Sequence, residues 1–543
     1  MKKIPFKKIN FLVVAGFASL ALNAQYNYTS QVWSPDNKNG TYKNPVVNAD
    51  YSDPDAVRVG DDFYMVSSSF NHVPGLPILH SKDLVNWKLI THVLKQQPPA
   101  EHFAKVQHGN GVWAPSIRYN RGEFYIYYPD PDFGIYMTKA KNIMGPWTEA
   151  VLVEAGSGLI DPCPLWDDDG TVYLVHAFAG SRAGFKTIVV IKKLNAEGTK
   201  TIDEGVLVFD GHKSDATVEG PKLYKKNGYY YIFAPAGGVP TGWQLVLRSK
   251  NIYGPYERKV VMDQGKTPIN GPHQGAWVTT QTGEDWFLHF QDKDAYGRVV
   301  HLQPMKWVNN WPVIGMDTDG DGKGEPVLVH RKPNVNGTYP YVNPAESDEF
   351  SEAKMGLQWQ WQANPKGGWA FTNPTTGTLR LNAQLTDSTK NYFDLPSLLM
   401  QKFPADEFVA VTKILFTPKL VGDKVGLMIF GTDYAYISVT HKADGNYFTQ
   451  STCLAADKGK AEKQTIISKQ TTNDFYMKVT VTKGGICQFA ISENGTNFTN
   501  AGEPFTAKPD KWVGAKVGLF VTSITKTNDG GIADVDWFRV LPY

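Results

Sequence analysis

Three things are scarce in this sequence: cysteine, charge and long apolar runs. The 543 residues include three cysteines, so at most one disulfide can form, and none of them stands in a zinc-binding spacing. Charged residues make up 20% of the chain, the net charge is +2 and the basic residues are scattered, which excludes the basic surface of a nucleic-acid-binding protein. After residue 25 no run of about 18 apolar residues occurs, which excludes membrane insertion through a helix.

The first 24 residues have the pattern of a bacterial-type signal peptide. Four lysines at positions 2, 3, 7 and 8 precede an apolar run over 11–22, and Ala24 with Gln25 offers a cleavage point. The run is too short to span a bilayer, and no cysteine follows it closely enough for a lipid anchor. We therefore predict a periplasmic or secreted protein.

The cysteines are predicted to be structural. Cys453 and Cys487 lie in strand-like segments and could pair, but free buried cysteines are the favoured interpretation. Cys163 follows Asp161 and Pro162 and lacks a neighbouring His or Gly-rich turn that would activate a nucleophile.

Aromatic residues are plentiful, at 13%, and so are the turn formers, with 50 Gly and 34 Pro. This balance favours an all-β protein. Aromatic strands recur about every 50 to 60 residues, which is typical of the blades of a β-propeller. Their central residues are Tyr64, Tyr125, Tyr173, Tyr230 and Phe287. Because five units are visible and residues 44–316 carry no sustained helical period, we predict a five-bladed propeller over residues 44–330.

One polar or aromatic residue precedes each aromatic strand at a similar distance, about 11 to 14 residues. These residues are Asp53, Trp113, Asp161, Glu219 and His273. If the blades are equivalent, all five fall at one level near the propeller axis, and three carboxylates meet there. Paired carboxylates are what glycoside hydrolysis requires, one to protonate the leaving oxygen and one to activate water or to attack.

The remaining chain, residues 345–543, is predicted to be a β-sandwich of the jelly-roll, concanavalin-like kind, joined by a Pro- and Gly-rich linker over 333–344. Trp359, Trp361 and Trp369 are either sugar platforms or, as their alternation with Gln favours, residues half buried in a sheet. We further expect the sandwich to close one side of the pocket, so that single terminal sugars are removed.

Residues 317–325, DTDGDGKGE, have the one-three-five acidic spacing and the sixth-position Gly of a calcium loop. Position twelve is Leu328 where such loops have Glu, and no helix flanks the segment. A solvated turn is therefore favoured, and a structural calcium ion is the alternative. No cofactor is expected to be required.

Several motifs together resemble glycoside hydrolase family 43. In the propeller they are residues 51–55 (YSDPD), 112–115 (VWAP), 159–162 (LIDP), 218–221 (VEGP), 271–275 (GPHQG) and 297–304 (GRVVHLQP). In the second domain they are 348–350 (DEF), 358–361 (QWQW) and 533–538 (ADVDWF). The resemblance covers nearly the whole chain after residue 24 and implies a β-xylosidase or an α-L-arabinofuranosidase.

The resemblance also implies roles for three carboxylates. Asp53 would be the general base, Glu219 the general acid, and Asp161 the residue that tunes and orients the acid. A charged Asp161 near Glu219 would raise the pKa of that acid by like-charge repulsion. Asp55, where many relatives have a small residue, competes weakly with Asp53 for the role of base.

Four further residues are implied to contact the substrate. Arg298 would hold a sugar hydroxyl, and Phe70 with Trp113 would form the wall of the sugar subsite. His273 is either a buried hydrogen-bonded residue or, as the resemblance implies, the residue beneath the pocket that holds a water or a metal ion. No side chain is assigned to a metal.

The predicted function is an exo-acting, inverting glycosidase. It would remove terminal α-L-arabinofuranosyl or β-D-xylosyl residues from arabinoxylan, xylan or xyloglucan side chains, and the sequence does not choose between the two sugars. A fructan-cleaving hydrolase is one alternative, although Ser52 and Asp55 depart from its Asn-Asp-Pro-Asn phrase. A propeller that captures carbohydrate without catalysis is another, although burying like charges together gains nothing for binding alone.

Overall fold

The computed structural model describes residues 27–387, 390–525 and 529–543, so the predicted signal peptide lies outside the described residues. Within them the chain is almost entirely β-structure. The α-helix there, Gly180–Ala183, has four residues, and the short 3₁₀ turns are His102–Ala104, Asp294–Tyr296 and Ala456–Lys458. None of the helices in the described ranges is long and apolar enough to cross a membrane.

The first domain consists of five antiparallel sheets of four strands, and in each sheet the strands lie in chain order. Blade one contains Asp55–Val59, Asp62–Val66, Gly75–Ser81 and Trp87–Leu94; blade two contains Ser116–Asn120, Glu123–Asp130, Gly134–Ala140 and Val151–Ala155. Blade three contains Leu159–Trp166, Val172–Phe178, Ile188–Leu194 and Val206–Asp210. Blade four contains Lys222–Lys226, Tyr229–Ala236, Trp243–Ser249 and Glu257–Met262; blade five contains His273–Thr279, Asp285–Asp292, Arg298–Val308 and Trp311–Ile314. The predicted five-bladed propeller is confirmed.

The first strand of each blade lies nearest the axis. The first strands of blades one, two, three and four contact one another in sequence, and the first strand of blade five contacts that of blade one. Each predicted site residue on the blade repeat lies just before this strand or at its start. Blade equivalence therefore brings these residues to one level of the axis.

The ring is closed by the chain that precedes blade one. Strand Thr41–Lys43 pairs with Val329–Arg331, which follows blade five. The Asn44 amide donates hydrogen bonds of 2.8 Å to the carbonyls of Leu302 and Val327. These contacts tie the two ends of the propeller together.

The second domain is a sandwich of two eight-stranded sheets, as predicted. The first sheet contains Gln360–Trp361, Leu399–Lys402, Lys516–Ser523, Lys424–Phe430, Tyr434–Lys442, Gly445–Cys453 and Lys463–Lys469, with Gln384–Leu385 beside Lys516–Ser523. The second contains Ala370–Asn373, Thr378–Asn382, Ile532–Leu541, Phe408–Thr417, Asp474–Thr482, Ile486–Ser492 and Thr499–Asn500, with Phe505–Thr506 beside Ile486–Ser492. Apolar side chains of both sheets form one core between them.

The three tryptophans near the start of the sandwich are neither sugar platforms nor half exposed. Trp359, Trp361 and Trp369 are 3%, 6% and 5% exposed and belong to the core. The alternation with Gln was misleading because this edge of the sandwich is covered by the propeller: the Trp361 backbone exchanges hydrogen bonds with that of Val73. All three indole rings are therefore buried in the core of the sandwich.

The cysteines are free and buried, as the favoured interpretation had it. Cys453 and Cys487 lie on strands of different sheets. Cys163 contacts the Arg118 guanidinium at 2.8 Å and accepts a hydrogen bond from the Leu223 amide, and burial raises the pKa of its thiol. The Cys163 thiol is therefore a structural group between blades.

The sandwich is fastened to blade five close to the axis. The Tyr296 hydroxyl donates to the carbonyls of Asp406 and Thr482, at 3.0 and 3.2 Å, and accepts a hydrogen bond from the Gly485 amide. The Ala515 amide donates to the Ala295 carbonyl at 2.8 Å. These bonds hold three segments of the sandwich, at Asp406, at residues 482–485 and at Ala515, against the propeller.

Candidate active site

The residues predicted from the blade repeat and from the family resemblance meet in one pocket at the propeller axis. The pocket is lined by Asp53, Phe70, Trp113, Ala114, Ile160, Asp161, Glu219, Val239, His273, Gln274, Arg298 and Trp512. All seven predicted site residues are among them. Gln274 and Trp512 carry polar or aromatic groups that sequence reasoning did not assign to the site.

Asp53 is a buried carboxylate with one oxygen held by hydroxyl groups. Its backbone is left-handed, with φ +55°, a conformation that Asp tolerates better than most residues. The hydroxyls of Ser52 and Ser68 donate to Oδ2 at 2.8 and 2.5 Å. The other oxygen, Oδ1, lies 3.7 Å from the Arg298 guanidinium. This arrangement leaves Oδ1 as the oxygen that can accept a proton from water.

Asp161 lies beside Glu219 and is 2% exposed. Its backbone is also left-handed, with φ +59°. Oδ2 accepts a hydrogen bond of 2.7 Å from the Gly220 amide, and Oδ1 accepts one of 3.3 Å from Gln274. Burial raises the pKa of Asp161 to about 6, against the opposing charge of Lys222. Gln274, the residue after His273, thus helps to hold the Asp161 carboxyl group.

Glu219 is the carboxyl group best suited to donate a proton. Burial raises its pKa to about 8, and the negative charges of Asp161 and Asp53 add to the effect. Its side chain keeps 23% of its surface exposed toward the pocket, so the group remains accessible to a bound molecule. At neutral pH Glu219 therefore carries its proton, as a general acid must.

Arg298 supplies the positive charge beside these carboxylates. It is 7% exposed, and Nη1 donates a hydrogen bond of 3.0 Å to the Ser52 hydroxyl. The guanidinium lies 5.0 Å from the ring centre of Phe290 and 5.6 Å from that of Trp512. Because two aromatic faces flank it, its orientation in the pocket is fixed.

His273 is buried beneath Glu219. Its Nε2 lies 3.3 Å from Glu219 Oε1, although neither ring nitrogen makes a hydrogen bond with the described protein. Burial lowers the pKa of His273 to about 3, with help from Arg298, so the ring is neutral. The structure places His273 in the lining of the pocket, and the water or metal ion that the resemblance implies there stays a prediction.

Within the described residues, no three His, Cys, Asp or Glu side chains gather their ligand atoms around His273. In the described ranges, the group of three or more His, Cys, Asp or Glu side chains with clustered ligand atoms is Asp317, Asp319 and Asp321, within 4.8 Å of one another. That group lies in the predicted calcium loop. The carboxylates of Asp317 and Asp321 there accept backbone hydrogen bonds within the loop.

Aromatic rings form the wall of the pocket, and one of them comes from the sandwich. Phe70 and Trp113 have ring centres 6.4 Å apart, and the Phe70 backbone pairs with that of Val112. Trp512 lies 6.0 Å from Trp113 in an edge-to-face arrangement. A lone Trp between Pro509 and Gly514 was the available signal in the sequence, but nothing there relates it to the blades.

Asp55 is not an alternative to Asp53. Its side chain is fully buried, and Oδ2 accepts hydrogen bonds from the Ile117 amide at 2.8 Å and from Arg118 at 2.6 Å. Since this carboxylate is paired between blades one and two, the expectation that Asp55 competes with Asp53 is wrong.

Comparison with protein-family models gives two matches that together span most of the chain. Residues 42–312 match the model of glycosyl hydrolases family 43. Residues 347–541 match the model described as the beta xylosidase C-terminal concanavalin A-like domain.

Curated relatives and solved structures agree with these matches. A putative beta-xylosidase of Xylanibacter ruminicola is 38% identical over 90% of this chain and 87% of its own. A beta-xylosidase of Formosa agariphila is 32% identical over 93% and 90%. A non-reducing end alpha-L-arabinofuranosidase of Bacteroides ovatus is 27% identical over 92% and 94%. Among solved structures, a GH43 protein of Bacillus licheniformis superimposes with a TM-score of 0.78 at 28% identity, covering 93% of this chain and 100% of that one.

Proposed function

The chain belongs to glycosyl hydrolases family 43, and from this premise we propose that it is an exo-acting, inverting glycosidase of plant cell-wall polysaccharides or their oligosaccharides. It removes terminal β-D-xylosyl or α-L-arabinofuranosyl residues from chains such as xylan, arabinoxylan or xyloglucan. The observation that carries the proposal is the meeting of Asp53, Asp161 and Glu219 in one axial pocket. Family membership favours hydrolysis over the capture-only propeller and over the fructan-cleaving alternative.

In the proposed mechanism Glu219 and Asp53 act on opposite sides of the glycosidic bond. Glu219, whose pKa is raised to about 8, gives its proton to the leaving oxygen as the bond to the anomeric carbon breaks. Asp53 Oδ1 takes a proton from the water that attacks that carbon. Asp161 keeps Glu219 protonated, and Arg298 holds a sugar hydroxyl.

Exo-action is supported by the way in which both domains line the pocket. Trp512 of the sandwich packs edge to face against Trp113 of the propeller in the lining of the pocket, with ring centres 6.0 Å apart. A polysaccharide that entered with an internal sugar would have to pass this aromatic pair. If the proposal is right, xylo-oligosaccharides lose single terminal sugars, whereas early release of larger fragments would contradict it.

Relatives favour the β-D-xylosyl group as the substrate. The relative with 38% identity is named a putative beta-xylosidase, and the relative with 32% identity is named a beta-xylosidase. The arabinofuranosidase named above, at 27%, makes the α-L-arabinofuranosyl group the second candidate. Rates on nitrophenyl β-xylopyranoside and nitrophenyl α-arabinofuranoside decide between them, and no release from either substrate would contradict the proposed function.

The blade positions of the two carboxyl groups support inversion. Asp53 and Glu219 come from the starts of blades one and four, on different sides of the axis. In inverting enzymes a water must fit between the base and the sugar, which sets the two carboxyl groups about 6.5 to 9.5 Å apart. Proton NMR at early times should detect the anomer of opposite configuration first. Retention would make Asp53 a nucleophile.

Export and metal dependence are part of the same proposal. Residues 1–24 are proposed to direct export to the periplasm or outside, which N-terminal sequencing of the protein from those fractions would test. We also propose that hydrolysis requires no cofactor and that calcium, if bound, only stiffens the loop with Asp317, Asp319 and Asp321. Chelation should then leave the rate unchanged, and a lowered unfolding temperature would report the structural ion.

A further inference from the structure

The pocket-lining Trp512 lies in a turn of the sandwich shortly before strand Lys516–Ser523. The turn is closed by the backbone bridge between Asp510 and Val513, and Trp512 has φ +68°, an unusual conformation for a bulky residue. Its side chain is 43% exposed. The ring contacts described above come from the propeller residues Trp113 and Arg298. The position of the indole therefore depends on how the turn is fastened to the propeller.

A buried contact between a histidine and an aspartate fastens the start of this turn to the propeller, whereas its end is fastened by the Gly514 amide, 3.1 Å from Asp50 Oδ2, and by the Ala515 amide, 2.8 Å from the Ala295 carbonyl. His108 of the propeller lies with Nδ1 2.6 Å from Asp510 Oδ2, and the two side chains are 13% and 3% exposed. The other carboxylate oxygen, Oδ1, accepts a hydrogen bond of 2.7 Å from the Lys511 amide. One carboxylate thus fixes the backbone of the turn and joins it to the propeller.

The opposite side of the His108 ring is held by a second sandwich segment. Nε2 lies 3.2 Å from the Phe393 carbonyl and 3.5 Å from Asp394 Oδ1. The imidazole stacks on the Phe393 ring with centres 3.8 Å apart and an angle of 14°. Both ring nitrogens thus face oxygen atoms of the sandwich, Nδ1 that of Asp510 and Nε2 that of Phe393. His108 is therefore clamped between two parts of the sandwich.

The chain around His108 also shapes the propeller side of the pocket rim. The next residue, Gly109, accepts the hydrogen bond of the Trp113 indole at 2.8 Å. A Cβ at Gly109 would lie 2.9 Å from the Trp512 ring and 2.8 Å from the Lys511 side chain. The segment of His108 and Gly109 thus contacts the turn that carries Trp512 and accepts the hydrogen bond of the Trp113 indole. It therefore positions both aromatic rings of the pocket rim.

We propose that His108 is a positioning residue of the hydrolysis: with Asp510 it holds the sandwich turn so that the Trp512 indole covers the bound sugar. The kinetic part of this inference rests on the proposed function. His108 itself is not among the residues that line the pocket with Asp53, Asp161 and Glu219. Its effect on turnover is transmitted through the Trp512 ring.

The kinetic test is a double-mutant cycle on the full chain. His108→Phe keeps a ring to stack on Phe393 and removes both ring nitrogens, and we expect kcat/KM to fall about 10- to 100-fold. In a Trp512→Ala background the same substitution should cost nothing further, because the group through which it acts is gone. Losses that multiply in the double variant would overturn the proposal.

A matched control removes a similar contact between a histidine and an aspartate elsewhere. His80 lies with Nε2 2.6 Å from Asp62 Oδ1 and packs against Tyr64 at 5.3 Å, on the outer part of blade one. His80→Phe should leave kcat/KM unchanged. Asp510→Asn, which keeps the shape of the carboxylate, serves if His108→Phe does not fold, and its loss should also vanish in the Trp512→Ala background.

A readout that needs no hydrolysis separates the fastening from the function. Lys511 is exposed in the turn, so trypsin can cut before Trp512 when the turn opens. We expect His108→Phe to speed this cleavage at least tenfold and His80→Phe not to. Equal cleavage rates would overturn the fastening role, whereas a wild-type protein that hydrolyses neither glycoside would overturn only the proposed function.

Discussion

The propeller and the sandwich build opposite sides of the pocket with different physics. On the propeller side, buried carboxylates are held by hydroxyl, amide and guanidinium groups, and burial raises the pKa values of Asp161 and Glu219. On the sandwich side, one half-exposed indole lies in a turn where Trp512 has a positive φ, and the contact between His108 and Asp510 helps to fasten this turn. We infer that the rigid ring supplies the chemistry and that the single turn controls how the sugar is held.

The largest effects should follow from changes to the propeller side. Glu219→Gln and Asp53→Asn should each lower kcat by about 10³-fold or more, because they remove proton transfer and leave the packing in place. The unfolding temperature should stay the same or rise: since the folded-state pKa of Glu219, about 8, lies above its ordinary value, the carboxyl costs stability at pH 7.

Asp55→Asn separates chemistry from packing on the same side. Its carboxylate is paired with Arg118 between blades and does not reach the pocket, so this substitution should lower the unfolding temperature. If Asp55→Asn instead removed turnover without loss of stability, the division of roles between Asp53 and Asp55 would be wrong.

A smaller effect is expected on the sandwich side. Trp512→Ala should lower kcat/KM about 10- to 100-fold, mainly by raising KM, because the indole binds the sugar without taking part in proton transfer. Trp537→Ala, in the sandwich strand Ile532–Leu541, is a matched control that should change neither constant. A fall in kcat as large as that of Glu219→Gln would place Trp512 among the groups that act in the transition state.

The difference between the propeller side and the sandwich side also explains which residues of the pocket the sequence could predict. Asp53, Asp161, Glu219 and His273 occupy equivalent places in a repeat, so counting residues between aromatic strands was enough to bring them together. Trp512 and His108 belong to no repeat, and their contacts join segments about 400 residues apart in the chain, a separation at which no local pattern reports proximity. The roles assigned to the pocket residues stay predictions until they are measured.

The sequence predicted burial wrongly at residues that one structural unit presents to another. Trp361 alternates with Gln as in a half-exposed strand, yet the propeller covers that edge of the sandwich. Likewise, Asp55 resembles a second candidate base until the Arg118 guanidinium is found beside it. Both errors concern contacts between units that were each predicted correctly by themselves.

The pH profile tests the coupling between two propeller carboxylates. Since Glu219 must be protonated to act, kcat/KM should fall as the pH rises through about 8. The Asp161 charge contributes to that raised pKa, after burial. Asp161→Asn should therefore move the basic limb down by about one pH unit, which corresponds to about 1.4 kcal/mol. Asp317→Asn, in the remote acidic loop, should not move the limb, and an upward shift for Asp161→Asn would contradict the coupling.

The smallest expected effect concerns a charge on the sandwich side that is poorly paired. Lys516 is 2% exposed and lies directly opposite Lys402 on the neighbouring strand. Burial, together with the Lys402 charge, lowers the pKa of Lys516 to about 7, although Asp50 and Asp510 oppose the shift. Within the described residues no acceptor forms a hydrogen bond with its ammonium. Asp50 already accepts bonds from the Arg298 and Gly514 amides.

We therefore expect Lys516→Met to stabilise the protein at pH 6 by about 1 kcal/mol, or about 2 to 4 °C in unfolding temperature for a domain of this size. The sign follows from linkage: the folded-state pKa lies below the ordinary 10.5, so the cost is complete below about pH 7 and disappears as the pH rises toward 10.5. The gain should shrink across that window in thermal unfolding, and Lys458→Met, at an exposed site, should give none. A lower unfolding temperature for Lys516→Met would contradict this expectation. It would mean that the attraction of the Lys516 charge to Asp50 and Asp510 outweighs the cost of burying that charge.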